Sequence, residues 1–130
     1  MELDPAHFVV FGSAPLFVHG LRADVPDLDV LARGSAWEEV VRSGTPAVGE
    51  HTGDIVWQFC GGRIQFSERW ISDDFDTDTL IAEADVFRGL RFARLSEVLR
   101  YKEEMHRPKD HEDITALRER LGDRIPALAG

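Results

Sequence analysis

The sequence predicts an α+β domain, and three stretches carry that expectation. Phe8-Val9-Val10-Phe11 is an apolar run closed by Gly12-Ser13. Ile55 to Phe59 and Ile64 to Ser67 alternate in hydropathy around Gly61-Gly62. Leu95, Val98, Leu99 and Met105 mark one stripe of a helix. The 130 residues are enough for one ordinary core, so residues 1–130 read as a single domain.

Taken in order, Phe8 to Phe11 suits a strand buried on both faces. Ser13 before Ala14-Pro15 is a helix-start signal, because proline costs nothing where the first amides have no partner. A short helix to about His19 is expected, with Leu16, Phe17 and Leu21 available for packing. In Asp27-Leu28-Asp29-Val30-Leu31 acids and apolar residues alternate, so on a strand both carboxylates share one face. Ser35-Ala36-Trp37-Glu38 has the form of a capping box before a helix with Trp37, Val40 and Val41 on its apolar side.

The Gly61-Gly62 hairpin sets Phe59 opposite Ile64 and Gln58 opposite Gln65, joining two glutamines on the less apolar face. Asp73, Asp74, Asp76 and Asp78 form an acidic loop into a helix around Thr79 to Ala82. That loop lacks the sixth-position glycine and closing glutamate of a calcium hand. A smaller hairpin is expected around Arg88-Gly89. Lys102 falls on the apolar stripe of the next helix and either seeks an anionic partner or reaches along the helix to solvent. Past Pro108, Asp110 is placed to cap a last helix packed through Ile114, Leu117 and Leu121 and closed by Gly122.

Composition excludes several classes. Asp plus Glu number 24 against 15 Lys plus Arg, and a net charge of −9 repels polyanions, so broad nucleic-acid binding is not expected. The lone Cys60 permits neither an intrachain disulfide nor a thiolate zinc cluster. No membrane span or signal-peptide pattern is present, which makes the cytoplasm the expected location. The five histidines show no zinc-protease spacing, and Gly12-Ser13 lacks the glycine of a nucleophile elbow.

The pattern that carries chemistry is a strand, Gly12-Ser13 at the mouth of a helix, and then Asp27-Leu28-Asp29 on a second strand. Glycine lets a phosphate approach the backbone, and unpaired helix amides attract it. Two carboxylates on one face repel unless a hard cation lies between them, and magnesium takes one or two carboxylates plus phosphate oxygens. Either residue pair taken separately reads as an ordinary turn or a solvated strand edge; their combination reads as a metal-nucleotide site.

Gly12-Ser13 followed by Asp27-Leu28-Asp29 resembles the signature of the nucleotidyltransferase superfamily that includes DNA polymerase beta. The small size, Lys102 and the run Arg107-Pro108-Lys109-Asp110-His111-Glu112-Asp113-Ile114 resemble the bacterial minimal nucleotidyltransferase-like proteins, some of which belong to toxin–antitoxin systems. The resemblance implies a nucleotidyltransferase fold, with a mixed β-sheet flanked by helices. It also implies transfer of a nucleoside monophosphate from a nucleoside triphosphate to a hydroxyl of a small molecule, a transfer RNA or a protein. Gly12 and Ser13 would then hold phosphates, Asp27 and Asp29 would hold magnesium, and Lys102 and Arg22 would stabilise phosphate charge.

One position departs from that pattern. Active members carry a third carboxylate where this chain is expected to place Gln65, and an amide cannot take a proton. Glu68 or Asp54 would replace it only by reaching the Asp27/Asp29 face. The alternatives are therefore a transferase, a nucleotide-binding module that has lost turnover, or a toxin–antitoxin partner. A homodimer or partner chain would supply the acceptor-binding surface that 130 residues leave little room for.

Overall fold

The computed structural model describes residues 2–49, 54–69 and 76–122. Its strands are β1 (Phe8–Val10), β2 (Leu28–Ala32), β3 (Thr45–Val48), β4 (Ile55–Phe59), β5 (Ile64–Ser67), β6 (Asp85–Phe87) and β7 (Leu90–Phe92). Its α-helices are α1 (Ala14–Val18), α2 (Gly34–Ser43), α3 (Thr77–Ala82), α4 (Leu95–Met105) and α5 (His111–Gly122). The strands form one mixed sheet in the order β3-β4-β5-β2-β1-β7-β6, in which β2/β5 and β1/β7 are parallel and the other pairs antiparallel. This is an α+β architecture with helices on both faces.

Side-chain alternation along β1 and β2 divides the core in two. Val9, Phe11 and Leu31 pack with Leu16, Leu80, Val98, Tyr101 and Leu117 from α1, α3, α4 and α5. Val10, Val30 and Phe66 pack on the opposite face with Ala36 and Val40 of α2. Phe11, Leu16 and Leu31 are fully buried, each contributing about 1.5–3 kcal/mol relative to exposure. These apolar groups hold the β1–α1 junction in place.

Both expected hairpins form, the first in the expected register. Phe59 faces Ile64 and Gln58 faces Gln65, across a turn in which Cys60, Gly61 and Gly62 all have positive φ. Phe87 faces Leu90 across Arg88 and Gly89, with φ of 51° and 80°. The second acidic segment is a strand from Leu28 rather than Asp27, so Asp27 sits just before the ladder.

Other expectations are corrected. α2 starts at Gly34 after Arg33, with no side-chain cap, so Ser35 is inside the first turn and the capping box does not form. Ser13 precedes α1 without a capping hydrogen bond, its hydroxyl being engaged by two cations described below. Phe17 is 49% exposed and Val41 is also exposed, because α1 and α2 bury other residues, Leu16 and Val40 among them. Asp76 does cap α3, accepting from the Thr79 amide and hydroxyl at 3.1 and 2.7 Å, and α3 begins two residues before the expected Thr79. Asp73, Asp74 and Trp70 lie outside the described residues.

Candidate functional site

The register of β1 against β2 builds the centre of the site. Val10 pairs with Val30, and the Phe11 amide donates to the Asp29 carbonyl at 2.7 Å. Gly12 follows at once, in the left-handed region with φ of 65°. A Cβ at position 12 would lie 2.9 Å from Asp29 Oδ2, so only glycine leaves this carboxylate its place. Asp29 lies on the same sheet face as Leu31, beneath α4, whereas Asp27 is exposed at the rim.

Burial, reinforced by the neighbouring charge of Asp27, raises the Asp29 carboxyl above its ordinary value, with Arg107, Lys102 and Lys109 opposing the shift.

The facing wall comes from α4, the turn after it and α5. α4 ends at His106 in a left-handed conformation, and Pro108 starts a 3₁₀ turn, which returns Arg107, Lys109 and Asp110 toward the sheet. Lys102, only 2% exposed, donates to Asp110 Oδ1 at 3.0 Å and Ser13 Oγ at 3.3 Å and pairs with Asp113 Oδ2 at 3.2 Å. Arg22 donates to the same Asp113 oxygen at 2.9 Å and to Ser13 Oγ at 3.1 Å. Arg107 donates to Asp110 Oδ2 at 2.6 Å and to the Tyr101 hydroxyl at 3.1 Å.

Burial favours the neutral form of Asp110, but the hydrogen bonds from Arg107 and Lys102 prevail and hold its carboxyl below the usual range. Burial pushes the Tyr101 phenol upward despite Arg107, so it stays protonated at neutral pH.

A cleft of about 230 Å³ lies between the two walls, lined by Gly12, Ser13, Asp27 and Asp29 on one side and by Lys102, Arg107 and Lys109 on the other, with Arg22 alongside. Four cations, Arg22, Lys102, Arg107 and Lys109, gather here against three paired carboxylates, Asp24, Asp110 and Asp113, so that wall keeps one positive charge over and faces Asp27 and Asp29 across the cleft. α1 is only five residues long, so its helix dipole adds little to the charge of the cleft.

Gly12, Ser13, Arg22, Asp27, Asp29 and Lys102, all read from the sequence, line this cleft together. Gln65 does not line it; it stands one strand away, paired in register with Asp29, and Gln58 Nε2 donates to Gln65 Oε1 at 3.2 Å. Asp54 cannot substitute for a carboxylate there, because it binds Arg69 through both oxygens at 2.8 and 3.1 Å. Glu68 is exposed beyond the end of β5, three residues from Gln65 or about 10 Å along the strand.

Arg107, Lys109, Asp110 and Tyr101 were missing from the residues read as a site. Asp110 is not a helix cap but the shared anion of Lys102 and Arg107. The signal available was the clustering of Arg107, Lys109, Asp110 and Asp113 within seven positions of an inward-facing lysine.

Among the described residues no group of three or more histidine, cysteine, aspartate or glutamate side chains is arranged to hold a metal. Asp27 and Asp29 therefore offer two carboxylates, which suits a magnesium ion that takes its remaining ligands from phosphate and water. No protein-family model, curated protein or solved structure matches the chain.

Proposed function

We propose that this cleft binds a magnesium-bound nucleoside triphosphate, and that the chain is a nucleotidyltransferase-type module with intact nucleotide binding and a weakened transfer step. The observation that carries the reading is the opposition of Asp27 and Asp29 to Lys102, Arg107 and Lys109 across a cleft floored by Gly12 and Ser13. The cations of one wall match the phosphate chain, and the carboxylate pair of the other matches the metal.

In nucleotidyl transfer, the acceptor oxygen forms a bond to the α-phosphorus while the bond to the β-phosphate oxygen breaks and pyrophosphate leaves. Magnesium, when bound by Asp27 and Asp29, supplies charge neutralisation at the α-phosphate. Lys102 and Arg107, held rigid by Asp110, present positive charge where the leaving group gains negative charge. The acceptor hydroxyl must lose a proton, and Gln65 stands where the sequence pattern leads one to expect a base. An amide cannot accept it, and Asp54 is committed to Arg69.

Isothermal titration with ATP, CTP, GTP and UTP, with and without magnesium, tests the binding step. Magnesium-dependent binding is expected for the wild-type chain and absent in Asp27→Asn/Asp29→Asn; no binding of any nucleotide would overturn the reading. Gln65→Glu is expected to raise pyrophosphate release, with water as acceptor, by about 100-fold or more.

A further inference from the structure

We propose that the Gln58–Gln65 amide pair seats a neutral, hydroxyl-bearing small molecule as the acceptor, an inference that rests on the nucleotide reading of the cleft. Asp29, Gln65, Gln58 and Thr45 stand opposite one another on β2, β5, β4 and β3, so their side chains share one sheet face. Adjacent strands are about 4.8 Å apart, which places Gln58 about 10 Å from Asp29. The apolar cluster under the helices on this face includes Leu31 of β2 but no residue of β3, β4 or β5, although Val56 of β4 is itself buried on the same face. A polar row thus leads out of the site across the sheet.

Its direction fits in-line chemistry. Gly12 and Ser13 lie on the β1 side of Asp29, and the glutamines lie on the β5 side. A triphosphate whose leaving group rests against Gly12 and Ser13 is attacked at its α-phosphorus from the opposite side, over β5 and β4.

The amides are arranged for a ligand that both donates and accepts. Gln58 Nε2 donates to Gln65 Oε1, which leaves the Gln65 NH2 group and the Gln58 carbonyl of this half-buried pair with hydrogen-bonding capacity for a ligand. A hydroxyl group answers both at once. Gly62 adds no side chain beside this pair, where a Cβ would be in ordinary van der Waals contact with the Gln58 amide at 3.7–3.8 Å. The subsite carries no charge of its own and lies beside two carboxylates in a chain of net charge −9, conditions that disfavour an anionic acceptor.

The test is ¹⁵N NMR of the full chain with magnesium and a non-transferring ATP analogue, titrated with glycerol, glucose and myo-inositol, and with glucose 6-phosphate as the charged control. The side-chain NH2 signals of Gln58 and Gln65 are expected to shift with a neutral polyol and not with the phosphate ester. Gln58→Leu and the near-isosteric Gln58→Glu are each expected to weaken that binding about tenfold while the nucleotide-induced shift at Gly12 persists.

Glutamine signals unmoved by all three polyols, or polyol affinity unchanged in both variants, would overturn the acceptor subsite while leaving the nucleotide site standing. A Gly12 signal unmoved by the nucleotide analogue would overturn both.

Discussion

Asp29 is the residue on which the two walls of the cleft converge. Gly12 gives it room, Phe11 and α4 desolvate it, and Asp27 adds a like charge. Its carboxyl is raised above the ordinary value, so the folded state holds its proton more tightly than the unfolded state does. Stability from this group is therefore greatest in acid and falls as pH rises through its unfolded value toward the raised folded one. Asp29→Asn removes that cost. The variant is expected to melt at a higher temperature than the wild type at pH 7.5, with the difference shrinking at pH 4; an equal or lower melting temperature at pH 7.5 would contradict the electrostatic account. The same residue shows how far a sequence pattern reaches: Gly12, Asp27 and Asp29 were recognisable because their spacing on two adjoining strands is local. Arg107 and Asp110 were not, because their meaning depends on meeting Lys102 across a turn.

Elements whose period is short were legible, and those whose boundaries depend on neighbours were not. Both hairpins follow from alternation plus a turn pair, and the first formed in the expected register. β3 carries Pro46, a residue that argues against a central strand, and it forms because β3 is an edge, where an absent amide donor is tolerated. α2 starts ahead of its serine because Gly34 takes the left-handed conformation against the His7 ring and so sets the entry angle. Arg88 is strained by the same geometry, since an arginine occupies the first position of a turn that favours asparagine followed by glycine. Arg88→Asn is expected to raise the urea midpoint by an amount corresponding to about 0.5–1 kcal/mol, with no change in nucleotide affinity. A lowered midpoint would mean that the arginine side chain contributes more than its backbone costs.

Across the whole molecule, one ion-pair network ties the loop after α1 to α4 and α5. Asp113 binds Arg22 and Lys102, and Asp110 binds Lys102 and Arg107. Removing one partner of a buried pair costs about 3–5 kcal/mol, a large part of the 5–15 kcal/mol that holds a domain together. The network therefore supports the fold as well as the cleft. Asp110 titrates below the ordinary carboxylate value, so its stabilisation is present at neutral pH and is lost as pH falls below about 4 through the folded value; Asp76, held low by its bonds to Thr79, acts in the same direction. Urea midpoints measured from pH 7 to pH 2.5 are expected to fall steeply at the acid end for the wild type and less steeply for Asp110→Asn. Parallel curves would show that Asp110 titrates alike in the folded and unfolded chain.

From residue order alone came the α+β class, the strand–glycine–serine–helix turn, the aspartate pair and the glutamine facing glutamine, because each is encoded within a few positions by hydropathy period or turn chemistry. Folding in three dimensions settled the rest. It buried Lys102 between two aspartates, set Gln65 beside Asp29, tied Asp54 to Arg69 and turned Arg107 and Lys109 into the cleft. Those outcomes depend on contacts between residues distant in the chain, whose geometry no local pattern carries.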